Sequence, residues 1–244
     1  MTSVAVFAHR GASATHPENT EAAFSEALRL GVEAVELDVH LSADRQMVVI
    51  HDETVDRTSD GHGEIRRLSF AEIEELDAGG WFGTEFAGVR FLTLAAALDL
   101  LAGEVRLNVH VKVDDHDREI LAPMVARELA RRDLFARAFI AADHLALALV
   151  RRVDARLGIC NLSVEPYGNY ILRSRALECR ILQPGNAATD EALVVAAHEH
   201  GMEVNPFYAD DEEEMERLIE CGVDGILTND PAKLQVVLTR RLGA

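Results

Sequence analysis

Two acidic residues alternate with apolar ones in the segment EAVELDVH at residues 33–40. In a strand, this alternation places Glu36, Asp38 and His40 on one face and the intervening apolar residues on the other. Two carboxylates on one inward face are costly unless a cation or basic groups neutralise them, and oxygen ligands favour a hard divalent ion such as Mg²⁺ or Ca²⁺. The alternative is a solvated edge strand whose acids face water.

The segment VRLNVHVK at residues 105–112 has the same alternation. It places Asn108, His110 and Lys112 together on one face, opposite Leu107, Val109 and Val111. Considered alone, His110 is more typical of a packed structural histidine than of a metal ligand. A second strand with polar residues on its inward face nevertheless favours a site over a plain core.

Histidines follow two apolar runs, His9 after VAVFA and His51 after MVVI. In a (β/α)₈ barrel, residues at the ends of strands lie on the C-terminal face, where active sites form. Two imidazoles there can serve as an acid and base pair near neutral pH. Alternatively, either histidine caps a loop.

Arg10 stands beside His9 and precedes Gly11, which permits a close backbone turn. A guanidinium can bind a phosphate through two hydrogen bonds, or it can form an ion pair with Glu18 or Asp38. The following helix starts at Asn19 or Thr20, which leaves Glu18 in the loop. Glu18 is then a residue that orients a ligand or contacts substrate, or a favourable charge near a helix N-terminus.

The elements that must position these residues alternate between strand and helix, which is typical of a parallel sheet with crossover helices. This alternation predicts a single domain over residues 1–244, with an α/β fold of the (β/α)₈ TIM-barrel class. Strands are predicted at residues 4–8, 33–39 continuing after a turn at 48–51, 105–111, 137–141, 157–162, 180–183, 203–205 and 224–227. Helices are predicted near residues 19–30, 93–102, 116–132, 143–154, 168–177, 189–200, 211–221 and 231–241.

The segment from about residue 52 to 90 is long for a connection between a strand and a helix. Insertions of this kind often form a lid or cap over a barrel mouth. The segment contains the only tryptophan of the chain, Trp81, which is followed by Phe82. These two aromatic side chains either wall the site or pack the cap onto the barrel.

Composition limits the partners and the compartment. A formal charge of −18 repels nucleic acid and anionic membranes, so we expect a small-molecule partner that binds at a locally positive site. Three separated cysteines, Cys160, Cys179 and Cys221, indicate neither a disulfide framework nor a zinc cluster. A reducing cytoplasm is therefore the expected compartment. No charged leader precedes the first short apolar run, which is predicted to be the first strand. The sequence does not indicate an oligomeric state.

The run AHRGASATHPENTEAAFSEALRLGVEAVELDVHLSADRQMVVIHDETVDRTSDGHG, followed by LSFAEIEELDAGGWF and FLTLAAAL, resembles the glycerophosphodiester phosphodiesterase family. The resemblance is close from about residue 8 to 100, weak from 113 to 180, and returns as LQPGNAATDEALVVAAHEHGMEV and CGVDGILTNDP. It implies a (β/α)₈ barrel with a cap inserted after the second strand. It also implies metal-dependent hydrolysis of glycerophosphodiesters to glycerol 3-phosphate and an alcohol. The roles implied are acid and base for His9 and His51, phosphate ligands for Arg10 and Lys112, and metal ligands for Glu36 and Asp38.

The sequence departs from the family pattern at two places. The family usually has Asn-x-Glu-x-Lys where this chain has Asn108-Val109-His110-Val111-Lys112, so a histidine replaces the third metal carboxylate. A neutral imidazole can ligate, and it favours Mn²⁺, Zn²⁺ or another transition metal; alternatively, the metal is held weakly or lost. Near the seventh strand the family's Trp-Thr-Val-Asn run is replaced by residues 207–210 (FYAD), which keep an aromatic wall for the substrate pocket as Phe207.

Two other functions fit the same residues. One is a lysophospholipase D or sphingomyelinase D activity on the same barrel, which needs an apolar groove for acyl chains. The acidic chain and the lack of a basic amphipathic helix speak against it. The other is a catalytically silent protein that binds phosphodiesters. Its sequence would not need to retain a pair of histidines for proton transfer.

Overall fold

The computed structural model describes residues 4–101, 103–162 and 170–243. Strands and helices alternate along these residues, as predicted. The strands are β1 (Ala5–His9), β2 (Ala34–Leu41), β3 (Met47–Val49), β4 (Leu92–Thr93), β5 (Arg106–Val111), β6 (Ala138–Ala142), β7 (Gly158–Asn161), β8 (Ile181–Leu182), β9 (Glu203–Val204) and β10 (Gly225–Thr228). The helices are α1 (Glu21–Leu30), α2 (Phe70–Ile73), α3 (Leu94–Leu101), α4 (Arg118–Arg131), α5 (His144–Val153), α6 (Tyr170–Ala176), α7 (Glu191–Glu199), α8 (Glu212–Glu220) and α9 (Pro231–Leu242).

Eight parallel strands form the barrel, in the order β1, β2, β5, β6, β7, β8, β9 and β10. The last strand pairs with the first, so that Ala8 lies opposite Thr228. Backbone hydrogen bonds close the ring between β9 and β10, with the Asp224 amide donating to the Val204 carbonyl at 3.0 Å. The predicted (β/α)₈ class is confirmed, and the C-terminal ends of the strands converge at one mouth.

Buried apolar residues form two layers in the barrel. The larger cluster lies between strands and helices, where Val35, Leu37 and Val39 of β2 point outward toward the helices. The smaller cluster fills the inside of the barrel and includes Phe7 and Phe139. Because side chains alternate along a strand, Glu36 and Asp38 must point into the barrel, as the sequence predicts.

Helix α1 shows how local sequence sets the position of the site. Thr20 is its N-cap, because its side chain accepts a hydrogen bond from the Ala23 amide. The helix ends at Gly31, whose φ of 69° is the left-handed conformation that favours glycine. Its buried residues are Ala23, Phe24 and Ala27. Because Thr20 is the N-cap of α1, Glu18 and Asn19 lie before the helix, in the loop above the barrel mouth.

The strand predicted at residues 48–51 differs from the expectation, because it is not one of the parallel strands of the barrel. It is β3, over residues 47–49, and it runs antiparallel to the upper half of β2. Because β2 extends above the barrel, β3 returns toward the mouth and delivers His51 beside the site. His51 therefore reaches the C-terminal face through a hairpin, not as the end of a parallel strand.

The long segment between β3 and β4 forms the predicted cap. It includes α2 and two short 3₁₀ helices, at residues 65–67 and 84–86. It has a small hydrophobic cluster of its own, formed by Val48, Ile50, Val55, Ile65, Ile73, Ala78 and Phe91. Neither α2 nor the two-residue strand β4 is predicted from the sequence.

Two further expectations concern the chain as a whole. The first residues of the helix predicted near 168–177 lie outside the described residues, and α6 accounts for the rest. The single-domain organisation over residues 1–244 stays a prediction. In the described parts of the chain, no helix has the length and apolar character needed to cross a membrane.

Candidate active site

Two carboxylates and one imidazole meet at the barrel mouth. Glu36 and Asp38 lie on β2, and His110 lies on β5 directly opposite Asp38 in the strand register. One ligand atom from each of the three residues lies within 4.8 Å of the other two. The Nδ1 of His110 is 3.1 Å from Oδ1 of Asp38 and 3.8 Å from Oε1 of Glu36. The arrangement offers two oxygen ligands and one nitrogen ligand to a single point.

Both carboxylates are almost completely buried. Burial, together with the negative charge of Asp38, raises the pKa of Glu36 well above its usual range. Burial alone would raise the pKa of Asp38 too, but contact with His110 and the charges of Lys112 and Arg10 hold it well below its usual range. The Oδ1 atom of Asp38 lies within ion-pair distance of His110 and Lys112 but makes no hydrogen bond of good geometry with the described residues. This set of donors fits a divalent cation, which would relieve the repulsion and satisfy that oxygen.

Two cationic side chains flank the carboxylates. The Nζ of Lys112 lies 3.2 Å from Oδ1 of Asp38, and the Nε of Arg10 lies 3.4 Å from Oδ2 of the same residue. The Nη1 of Arg10 donates to Glu18 at 2.9 Å. Both ion pairs that the sequence left open for Arg10 are therefore present. They hold its guanidinium at the mouth of the barrel.

A strained turn aims Arg10 at the site. Its φ of 58° lies in the left-handed region that non-glycine residues rarely adopt. Its amide donates to Oε2 of Glu36 at 3.0 Å, which stabilises the turn. The next residue, Gly11, has a φ of 84°, and a Cβ there would lie 2.7 Å from the Ala23 backbone. Only glycine fits this close approach of loop and helix.

His9 lies at the end of β1 with one ring nitrogen fixed by Asn229. The Oδ1 of Asn229 is 2.7 Å from Nδ1 of His9, while the Nδ2 of Asn229 donates to Asp210 at 2.6 Å. The amide orientation makes Oδ1 the acceptor, so His9 carries its proton on Nδ1. Burial, and next the charge of Arg10, lower the pKa of His9 to about 4. Its unprotonated Nε2 lies 3.9 Å from Oε2 of Glu36, on the site side.

His51 belongs to a chain of ion pairs that joins cap and barrel. Its Nδ1 contacts Oδ1 of Asp52 at 2.6 Å. The guanidinium of Arg57 donates to Asp52 at 2.6 Å and to Glu18 at 2.7 Å. Since Glu18 also binds Arg10, the chain runs from one side of the mouth to the other. Glu18 therefore contacts two arginines, which supports the orienting role over a simple charge near a helix terminus.

One cavity of about 260 Å³ brings most of the predicted residues together. Its lining includes His9, Arg10, Glu36, Asp38, His51, His110 and Lys112. Phe207, which is 40% exposed, also lines it. Trp81 does not: it lies in the cap, where its ring meets Phe82 edge-on at 5.5 Å and its Nε1 donates to the Ala78 carbonyl. Trp81 and Phe82 thus contact each other within the cap, away from this cavity.

Sequence reasoning missed four residues that support the histidines. Asn229 and Asp210 orient His9, and the Tyr208 ring stacks on His9 with centroids 5.1 Å apart. Arg57 holds Asp52 against His51. The signal for Asn229 was its place two residues after the last predicted strand (224–227), at the end of the barrel where the other site residues also lie. Asp210 and Arg57 had no such signal, because both act from loops.

Comparison with known proteins identifies the family that has this site. Residues 9–233 match the model of the glycerophosphoryl diester phosphodiesterase family. The chain is 38% identical over 249 residues to a glycerophosphodiester phosphodiesterase of Caldanaerobacter subterraneus subsp. tengcongensis, and the match covers 98% of each chain.

Solved structures agree with that match. A phosphodiesterase of Oleispira antarctica, solved in complex with the product sn-glycerol-3-phosphate, is 26% identical with a TM-score of 0.88 and 96% of each chain covered. A glycerophosphodiester phosphodiesterase of Agrobacterium tumefaciens is 27% identical with a TM-score of 0.81, covering 93% of this chain and 97% of that one. Since the matched residues begin at His9 and extend past Asn229, they include the whole site, and the chain belongs to the glycerophosphoryl diester phosphodiesterase family.

Proposed function

We propose that this protein hydrolyses glycerophosphodiesters to glycerol 3-phosphate and a free alcohol, with a divalent metal ion and with His9 and His51 as the acid and base pair. The observation that carries the proposal is the single cavity lined by both histidines, both flanking cations and the three candidate metal ligands. Family membership supports the reaction class, and the product complex of the Oleispira relative supports the glycerol 3-phosphate half.

Glu36, Asp38 and His110 would hold the metal ion. When bound, a divalent cation polarises a phosphoryl oxygen and offsets developing negative charge. The imidazole of His110 lowers the negative charge of the site relative to three carboxylates. We therefore propose that Mn²⁺ or Zn²⁺ competes well with the Mg²⁺ or Ca²⁺ that the family resemblance implies.

Arg10 and Lys112 would bind the phosphate. Both lie against Asp38 at the edge of the cavity, so their positive charges are already directed to one place. In a chain with a formal charge of −18, this local positive charge is what permits an anionic substrate to enter. Prepositioned cations stabilise the additional charge of the transition state without reorganising during the reaction.

The tautomers favour His9 as the base and His51 as the acid. His9 presents an unprotonated Nε2 toward the carboxylates, since Asn229 accepts from its Nδ1. The Nδ1 of His51 contacts the Asp52 carboxylate at 2.6 Å, and this contact holds the ring at the wall of the cavity that His51 lines. His9 would take a proton from the nucleophile, and His51 would give one to the oxygen of the departing alcohol.

The phosphorus loses its bond to the alcohol oxygen and gains one to the nucleophile. That nucleophile is water or a neighbouring hydroxyl of the glycerol, and only the second gives a cyclic phosphate first. Phosphorus NMR of the reaction mixture distinguishes the two, because a cyclic phosphate has its own resonance. An additional cavity of about 640 Å³ shares His51 and Lys112 with the first, and we propose that it receives the departing alcohol.

The test is release of glycerol 3-phosphate from glycerophosphocholine by chelator-stripped protein, with Mg²⁺, Ca²⁺, Mn²⁺ or Zn²⁺ restored one at a time. We expect metal-dependent release that His9→Ala reduces by about a thousandfold, within the range for loss of an acid or base. The matched control is His62→Ala, since that side chain is 85% exposed in the cap. No release with any ion would instead favour the silent binding protein.

Three further proposals concern the domain organisation, the partner and the location of the protein. We propose a single catalytic domain, a small-molecule substrate without a nucleic-acid partner, and a cytoplasmic location. The location is supported by Cys160, Cys179 and Cys221, all three of which are free thiols.

A further inference from the structure

A cavity of about 960 Å³ lies at the opposite end of the barrel from the active site. Its lining includes Gly158 and Ile181, the first residues of β7 and β8, and Met202, which directly precedes β9. The active site lies where the parallel strands end, whereas this cavity lies where three of them begin. The body of the barrel therefore separates the two.

The lining of this cavity is rich in arginine. Arg151 and Arg175 lie in the last turns of α5 and α6, Arg156 lies between α5 and β7, and Arg180 directly precedes β8. Among the described residues, the acid that lines the cavity with them is Glu178. The chain has 24 basic residues against 42 acidic ones, so this local excess of positive charge runs against its composition.

One of the four arginines is used within the fold. Arg156 donates to Asp154 at 2.8 Å, and its guanidinium covers the ring of Phe135 at 4.0 Å. The ion pair neutralises the charge of Arg156. Its stacking on Phe135 holds the planar group at the edge of the cavity.

The other three arginines keep their charge. Arg151 donates to the carbonyls of Leu157 and Glu178 at 3.1 and 3.0 Å, which fixes the guanidinium without neutralising it. Arg175 and Arg180 form no ion pair with any acid in the parts of the chain that the structure describes. Three positive charges against that of Glu178 leave an excess of two in the lining.

A neighbouring histidine adds a hydrogen-bond donor. The Nη1 of Arg175 lies 3.5 Å from the Nδ1 of His200, which also lines the cavity. A guanidinium can only donate, so Nδ1 is the acceptor and Nε2 carries the proton of the neutral ring. Arg175, Arg180 and His200 therefore bring donors, and an excess of positive charge, to one cavity.

We propose that this cavity binds the dianionic phosphate group of a small molecule, with Arg175 and Arg180 as its principal ligands. A phosphate group carries about 1.5 to 2 negative charges at pH 7, which matches the excess in the lining. Guanidinium groups bind its oxygens through paired hydrogen bonds. The site needs no hydrolysis, so it is independent of the proposed function.

The cavity is large enough for more than the phosphate. Its volume falls in the range of pockets that hold organic ligands, and Phe135, Leu157 and Ile159 give it apolar wall. The phosphate group can therefore belong to a phosphomonoester or to free inorganic phosphate. A purely structural role is the alternative, because arginines near helix C-termini also offset the helix dipole.

The experiment is calorimetry of chelator-stripped protein at low ionic strength, with inorganic phosphate and phenyl phosphate as the probes. Phosphate can also bind at the active site, so Arg10→Gln is titrated beside the wild type. We expect one binding event to persist in Arg10→Gln and to weaken about tenfold or more when Arg175→Gln and Arg180→Gln are combined, since two charge-assisted contacts are lost. Tighter binding of phenyl phosphate would identify a phosphomonoester, and equal binding would identify the free ion.

The matched control combines Arg127→Gln with Arg152→Gln. Both side chains are exposed, on α4 and α5, and lie outside the cavity, so this pair removes the same charge. It should bind both probes as the wild type does. Equal weakening in the two pairs would overturn the site, because a general field would then account for binding.

A second comparison does not depend on Arg10→Gln being folded. In the wild type, the combined Arg175→Gln and Arg180→Gln change should remove one binding event and leave the event at the active site. Arg175 and Arg180 are both exposed, so melting curves of this variant should match those of the wild type. Phosphate binding that is unchanged in it, or a loss of stability without a loss of binding, would refute the proposal and leave the arginines a structural role.

Discussion

Asn229 fixes the tautomer of His9, because its Oδ1 accepts from the ring Nδ1 at 2.7 Å while Asp210 holds its Nδ2 at 2.6 Å. Asn229→Ala removes this support without touching the reacting nitrogen. We expect kcat to fall by about 10- to 100-fold, as for other residues that orient a catalytic ligand. The measurement is steady-state release of glycerol 3-phosphate.

A double variant tests whether the two residues act as a unit. His9→Ala combined with Asn229→Ala should be no slower than His9→Ala alone, since an orienting residue has nothing left to orient. Independent, multiplying losses would show that Asn229 acts in another way.

Arg57 is expected to control His51 from the cap. It bonds both Asp52 and Glu18, so Arg57→Met frees the carboxylate that contacts His51. We expect kcat to fall about tenfold with a smaller change in KM, because alignment of His51, the proposed acid, would affect the chemical step. Arg67→Met is the matched control, since Arg67 is 70% exposed and contacts only Glu64 among the described acids. Wild-type kcat in Arg57→Met would contradict the expectation.

The ion pair between Arg57 and Asp52 predicts that the folded state loses stability in acid. Hydrogen bonding to Arg57 lowers the pKa of Asp52 from 3.8 to about 2. A carboxyl group whose pKa is lower in the folded state stabilises the fold above its ordinary pKa, and that stability is lost as pH falls toward 2. We expect Arg57→Met to lower the free energy of unfolding by about 1 kcal/mol at pH 6, after allowing for solvent screening.

Urea unfolding at pH 6, 5, 4 and 3 measures this effect. The difference between wild type and Arg57→Met should narrow steadily below pH 4, whereas Arg67→Met should follow the wild type throughout. A difference that stays constant with pH would mean that Asp52 is not its source.

His110 is expected to determine the metal preference. His110→Glu restores a third carboxylate beside Glu36 and Asp38, which favours hard ions over transition metals. We expect the order of thermal stabilisation by added ions to move from Mn²⁺ and Zn²⁺ toward Mg²⁺ and Ca²⁺, with activity following the same order. An unchanged order would indicate that His110 does not ligate.

Gly11 is expected to tolerate no side chain. Gly11→Ala combines a positive φ with a Cβ only 2.7 Å from the Ala23 backbone, so loop and helix must separate. We expect a loss of about 3 kcal/mol in unfolding free energy. Gly31→Ala is the control, because its φ is also positive but nothing lies within 4 Å of the added carbon, and it should cost about 1 kcal/mol. If Gly11→Ala and Gly31→Ala lose the same unfolding free energy, the positive φ alone accounts for the loss and the contact with Ala23 adds nothing.

The residues that strand periodicity places on one face were predicted from the sequence, whereas contacts between distant residues were not. Alternation in β2 and β5 identified Glu36, Asp38, His110 and Lys112, because a strand has a fixed period and one inward face. The residues that support the histidines follow no sequence period. Arg57 bonds to Glu18 across 39 residues, and Asn229 bonds to His9 across 220 residues. The strand that carries His51 was predicted after a turn, but its antiparallel pairing with β2 was not, since apolar content alone does not reveal the direction of a strand.

The pairing of β1 with β10 has a consequence for biosynthesis. His9 is translated 220 residues before Asn229, its hydrogen-bond partner. A nascent chain that lacks β10 would contain every candidate metal ligand and phosphate contact, yet His9, the proposed base, would have no fixed tautomer. Translation of β10 and Asn229 would thus be required for activity, and protein truncated before residue 225 should not turn over diesters.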